Sequence, residues 1–343
     1  MSLIDLCERG LVPDVLTRLG IRRLCAQRLR EERSDDASAA WERFRSLLEG
    51  LRNSPLAIET AAANEQHYEV PARFFELSLG KRLKYSSCYY PTGRESLDEA
   101  EEAMLELYGK RAELVDGQRI LELGCGWGSL TLWMAERFPK ARILGVSNSA
   151  SQREHILGQC TKRGLSNVEI LTCDVNVLDL GERRFDRVVS VEMFEHVRNY
   201  QQLFKRISGW LDENGRLFCH VFCHRELMYP FEVEGEDNWM GRNFFTGGLM
   251  PAADTFLHFQ DDLVLEQQWR LSGEHYQRTS NHWLENQDRH SAEVLSLFSE
   301  VYGAAEAKLW AQRWRMFWMA CAELFGYAGG NEWLVAHYRF RRR

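Results

Sequence analysis

The apolar positions change period along the chain. Up to about residue 60 they recur at helical spacing: Val12, Leu16 and Leu19, then Trp41, Phe44, Leu47, Leu48 and Leu51, until Asn53-Ser54-Pro55 breaks the pattern. This predicts a helical N-terminal extension over residues 1–64. A capping-box pattern at Ser96-Leu97-Asp98-Glu99 opens a helix to about 114. Short apolar runs then alternate with helical ones. Strands are expected at 120–123, 141–146, 168–173, 185–191 and, after an Asn214-Gly215 turn, 216–224; helices fall at 129–136 and at 151–163, the second stopped by Gly164. Such alternation predicts an α/β fold with a mostly parallel sheet, in one domain over 65–343. From 225 to 251 the pattern turns irregular and aromatic, so a substrate lid is expected at about 225–260. Strands at 262–271 and 332–340 and helices at 281–300 and 303–325 complete the chain.

Composition removes several classes of function. The net charge is -7, and the densest basic run is the C-terminal Arg339-Phe340-Arg341-Arg342-Arg343, read as a solvated end. Nucleic acid is therefore not an expected partner, because phosphate binding needs a basic face. Nine scattered cysteines predict a reduced, cytoplasmic protein and no disulfide framework. No signal peptide is visible. No apolar run approaches the ~20 residues of a membrane span, so stable membrane insertion is not expected.

The chemistry gathers at the ends of the predicted strands. The first runs into Gly124-Cys125-Gly126-Trp127-Gly128 and then a helix, a turn that lets backbone approach a ligand under a helix N-terminus. The spacing is G-x-G-x-G, not the dinucleotide G-x-G-x-x-G. The second strand ends at Asn148 and carries no ribose-binding acid, which counts against a nicotinamide cofactor. The third ends at Asp174 and the fourth at Glu192. Glu192, Glu195 and His196 are spaced for one face of a helical turn, where carboxylates beside an imidazole can hold a cation or take a proton. Cys219 to His224 does not suit a metal: His220 and His224 would stand about 13 Å apart on a strand.

These features resemble a class I methyltransferase that uses S-adenosylmethionine. Over nearly its whole length the chain resembles the cyclopropane-fatty-acid-synthase-like methyltransferase family, and within it the plant benzylisoquinoline N-methyltransferases. Tyr85-Ser86, residues 100–108, 120–132, Ser147-Asn148-Ser149 with Gln152, 165–169, 192–196, Phe244-Phe245-Thr246-Gly247-Gly248 and 322–340 carry the likeness. The resemblance implies donor contacts from Tyr85, Ser86, Gly124, Gly126, Asn148, Gln152, Asp174, Val175 and Val189. It implies Glu195 and His196 as the catalytic pair and Glu192 as an amine contact. It also implies His220, Phe222 and Tyr276 in the acceptor pocket. In the lipid enzymes of the family, residues matching Glu195, His220 and Tyr276 hold a bicarbonate together with a cysteine, whose position here is Ser87. The expected reaction is N-methylation of a small-molecule amine, tetrahydroisoquinoline-like, with methylene transfer to an unsaturated phospholipid chain as the alternative. No metal is expected. The extension is a candidate for a homodimer contact or for cover over the site.

Overall fold

The computed structural model describes residues 2–58, 70–231, 233–235 and 238–343. The expected boundary at 64/65 lies outside them. The extension forms three helices, α1 (Leu3–Glu8), α2 (Asp14–Glu32) and α3 (Ala37–Asn53). After a short α4 (Ala72–Ser78), α5 (Leu97–Arg111) starts from the Ser96–Glu99 capping box.

The sheet-forming elements then alternate: β1 (Arg119–Leu123), α6 (Ser129–Arg137), β2 (Arg142–Ser147), α7 (Ala150–Arg163), β3 (Val168–Thr172), β4 (Phe185–Val191), α8 (Tyr200–Trp210) and β5 (Leu211–His224). The first five strands pair in parallel. Gly164 closes α7 in the left-handed conformation, as the sequence predicts. The insertion after β5 holds a two-stranded pair, β6 (Tyr229–Pro230) with β7 (Leu249–Met250), and a short α9 (Trp239–Asn243). The rest of the chain is β8 (Leu263–Leu271), α10 (Glu274–Arg289), α11 (Ser291–Tyr302), α12 (Ala307–Phe325) and β9 (Trp333–Arg342).

The strand order is β3-β2-β1-β4-β5-β9-β8, with β9 antiparallel to both neighbours. The order reverses direction beside β1, which places a crevice at the carboxyl ends of β1 and β4. Cores fill both faces of the sheet. One joins α4, α5, α10 and α12 through Phe74, Tyr108, Trp283, Trp314 and Trp318; the other joins α3 and α8 through Leu48, Tyr200 and Phe204. The extension docks on α12, where Arg18 and Arg22 close on the Glu323 carboxylate at 2.8 and 2.5 Å.

Three expectations need correction. Two helices over 281–325 are three, because the chain breaks at His290 and again at Gly303. Asn214-Gly215 does not precede the fifth strand but lies inside it, at a register shift against β4. The basic C-terminus is not a frayed end: β9 runs to Arg342, and Arg339 meets Glu266 at 3.0 Å and Glu113 at 2.5 Å. No helix among the described residues is long and apolar enough to cross a membrane.

Candidate active site

The carboxyl ends of β1 to β4 surround one cavity of about 1240 Å³, mouth included. Its wall at β1 is the glycine turn. Gly124 has φ +80°, and a Cβ there would sit 2.8 Å from the Met193 side chain. The Gly124 and Cys125 N–H groups both donate to the Val146 carbonyl at 3.0 Å, tying the turn to β2. Glu122 lines the floor, bonded by the Thr131 hydroxyl, and burial pushes it up to about 8. On the first turn of α7 the Ser147 hydroxyl donates to Gln152 Oε1 at 2.7 Å, while Gln152 Nε2 is buried without a partner among the described residues. Asp174 and Val175, past β3, line the mouth. Asn176 beside them exchanges two hydrogen bonds with the Ala57 backbone, at 3.0 and 3.2 Å. Ala57 and Ile58, which follow α3, thereby join the cavity wall.

These residues fit S-adenosylmethionine. An unpartnered buried amide, two carboxylates and a glycine turn under a helix N-terminus suit a ligand with hydroxyls and charges of both signs. Tyr85, Ser86, Gly124, Gly126, Asn148, Gln152, Asp174 and Val175 all line the cavity. Val189 does not: it is fully buried within β4, in register with Glu122.

The other end of the cavity is built around Glu192. Its φ of +48° lies in the left-handed region, uncommon for a residue with a side chain. The Glu192 N–H donates to the His220 carbonyl at 2.9 Å, holding that turn at the end of β4. Glu192 Oε1 accepts from the Ser87 N–H at 2.9 Å and meets His220 Nε2 at 2.9 Å; Oε2 accepts from the Tyr276 hydroxyl at 2.7 Å. Burial raises its carboxyl to about 7, against the pull of Lys84 and of these donors. Lys84, itself only 2% exposed, donates to Ser86 Oγ and to the Ser87 carbonyl, both at 2.6 Å.

The positive φ at Glu192 breaks the helical turn expected over 192–196, and only Phe194–His196 form a 3-10 turn. Glu192 and His196 line the cavity. Glu195 stands behind them, fully buried, with Oε1 accepting from the Phe222 N–H at 2.7 Å and Oε2 unpartnered among the described residues. Burial and the Glu192 charge push Glu195 well above the carboxylate range.

Aromatic rings pack outward from His196. Its ring lies 4.6 Å from Phe245, which meets Phe231 at 4.7 Å and Phe222 at 5.5 Å. Phe325 stacks on Tyr276 at 4.2 Å. Tyr276 and His220 do not line the cavity; both meet Glu192, which does. The Glu192 carboxylate engages both, so a bicarbonate held by them would compete with this chain's own anion.

Lys84 escapes sequence reasoning: it follows Lys81 and Arg82, and nothing in the run sets it apart from those neighbours.

The sequence profile of the mycolic acid cyclopropane synthetase family matches residues 57–330. The (S)-coclaurine N-methyltransferase of Thalictrum flavum subsp. glaucum is 37% identical, over 100% of this chain and 96% of its own length. The pavine N-methyltransferase of the same plant is 33% identical, over 100% and 97%. A crystal structure of coclaurine N-methyltransferase bound to N-methylheliamine and SAH superposes with a TM-score of 0.96 at 36% identity, covering 99% of this chain and 98% of that one. Fold, donor cavity and relatives agree: the chain belongs to the mycolic acid cyclopropane synthetase family, as an S-adenosylmethionine-dependent methyltransferase of its N-methyltransferase branch.

Proposed function

We propose that the acceptor is a secondary or tertiary amine on a small aromatic ring system, of the tetrahydroisoquinoline kind. The observation that carries this is the Glu192 carboxylate, a buried acid lining the cavity near His196 and the aromatic cluster packed on it. An anion there attracts an amine cation, and the rings cover its apolar body and hold the charged product by cation–π contact. S-adenosylmethionine, when bound, supplies an electrophilic methyl on its sulfonium. Glu192 orients the amine nitrogen toward that methyl and takes the proton which a secondary amine must lose. His196 flanks the acceptor on the rim of the cavity. Glu195, whose burial favours the neutral carboxyl, supports the turn that carries both. The names of the relatives, and the N-methylheliamine in the solved structure, agree with an acceptor of this kind.

The test is release of S-adenosylhomocysteine by the purified protein with a secondary-amine tetrahydroisoquinoline or with unsaturated phospholipid vesicles. Release with the amine alone is expected. Release with the vesicles alone would overturn the reading in favour of methylene transfer to lipid.

A further inference from the structure

His220 and His337 face each other directly across β5 and β9, and Trp269 on β8 continues the row. Helix α5 covers this face of the sheet and sends down Tyr108 and Arg111. The contacts form an unbroken line away from the site. Arg111 meets His337 Nδ1 at 2.7 Å, His337 Nε2 meets His220 Nδ1 at 3.0 Å, and His220 Nε2 meets Glu192 at 2.9 Å. Arg111 lies over the Trp269 ring at the outer end, 4.9 Å from its centroid.

The direction of every bond in this line follows from one fact. A guanidinium only donates, so His337 Nδ1 accepts and its proton sits on Nε2. That proton points at His220 Nδ1, which must accept in turn. The remaining His220 proton then lies on Nε2 and is donated to Glu192. A second line leads to the same atom. Lys84 donates to Ser86 Oγ, Ser86 contacts the Tyr108 hydroxyl, and that hydroxyl lies 2.7 Å from His220 Nδ1. The Tyr108 hydroxyl and His337 Nε2 thus share the single acceptor lone pair of one imidazole nitrogen. The line does not conduct protons outward, because Arg111 occupies the nitrogen through which a proton would leave.

We propose that Arg111 and His337 are positioning residues for the methyl transfer: they fix the neutral Nε2–H tautomer of His220, which donates to Glu192 and holds it as the anion that faces the acceptor amine. Both act through His220 and neither lines the donor cavity. The titratable and charged groups around Glu192 are Lys84 and Cys88 before α5, Tyr108 on α5, Glu195 beside it, His220 on β5, Tyr276 on α10 and Cys321 on α12. Losing the His220 donor leaves Glu192 with the Ser87 N–H and the Tyr276 hydroxyl as donors and the Lys84 amine nearby.

The proposal rests on Glu192 meeting the acceptor, and the test separates the two. In the first arm, protein labelled with 15N-histidine is examined by NMR without any acceptor. His220 is expected as a single Nε2–H tautomer in the native protein, and as a mixture in His337→Phe and Arg111→Met. In the second arm, kcat/KM is measured against pH with a tetrahydroisoquinoline amine. An ionised Glu192 is required, so activity falls as pH drops through its pKa. In both variants this acid limb should move up by about one unit, a tenfold loss at fixed acidic pH that disappears at high pH. His337→Gln keeps a donor amide toward His220 and should restore the native limb. If His337→Phe does not fold, Arg111→Met carries both arms, since Arg111 is only half buried. An Nδ1–H tautomer in the native protein, or a loss equal at every pH, would overturn the proposal. A tautomer that changes without activity on the amine would instead refute the acceptor assignment.

Discussion

Glu192→Gln should separate the charge of this residue from its shape. The two donors on Oε1, from Ser87 and His220, are retained if the amide oxygen takes that position. The amide nitrogen then faces the Tyr276 hydroxyl, which rotates to accept in place of donating. No hydrogen bond need be lost, and a buried anion disappears, so the cost in fold stability should stay below about 1 kcal/mol. Activity should respond very differently. Removing a proton acceptor of this kind costs about 10²- to 10⁴-fold, or roughly 3 to 5 kcal/mol in the barrier. Glu195→Gln is the control. Burial and the Glu192 charge push the Glu195 carboxyl well above the carboxylate range, toward its neutral form, so a neutral isostere should change kcat/KM by less than about threefold. Both are read by S-adenosylhomocysteine release against amine concentration, with thermal melts to show intact folding. The reasoning is refuted if Glu192→Gln retains about a third or more of native kcat/KM, or if both variants lose the same amount.

Glu101 anchors the donor segment from behind. Its carboxylate accepts from the backbone N–H groups of Gly80, Lys84 and Arg82, at 3.1, 3.1 and 2.7 Å, just ahead of Tyr85 and Ser86. Glu101→Gln sets an amide N–H against one of these donors, so stability should fall by about 1–3 kcal/mol, and the donor KM should rise; an unchanged melt and KM would refute this role. Gly124→Ala should abolish detectable binding of S-adenosylhomocysteine in a calorimeter, because φ +80° and the Met193 side chain 2.8 Å from the new Cβ both oppose the turn. Native affinity in that variant would show that the turn relaxes without cost.

Much of the donor side is legible in the chain because its determinants are local. A glycine turn between an apolar strand and a helix depends on the conformational freedom of a few consecutive residues. Polar residues at the ends of successive strands follow from the period of the apolar runs. The acceptor side was harder to read, and the misreadings share a cause. The spacing of Glu192, Glu195 and His196 is helical, yet Glu192 adopts φ +48° because Ser87, His220 and Tyr276 claim its carboxylate from three other elements. Residues 281–300 read as one continuous period, yet the helix breaks at His290, whose Nδ1 lies 2.9 Å from the Leu77 carbonyl of α4. The basic C-terminus is a strand because β8 and Glu266 give it partners that no neighbour in sequence offers.

The sequence by itself determined an α/β methyltransferase scaffold, its glycine turn and most of the side chains that line the cavity at that turn. Short-range backbone preference and periodic burial suffice for these, and both are written residue by residue. Only the tertiary structure decided that Glu192 lines the cavity while Glu195 is buried behind it. It alone joined Arg111 and His337, 226 positions apart, to His220. Those contacts depend on the register of β5 against β9 and on the seating of α5 over that pair. A hydrogen bond needs its partners within about 3 Å and correctly aimed, and only packing of the whole chain sets distances so fine between residues so distant in sequence.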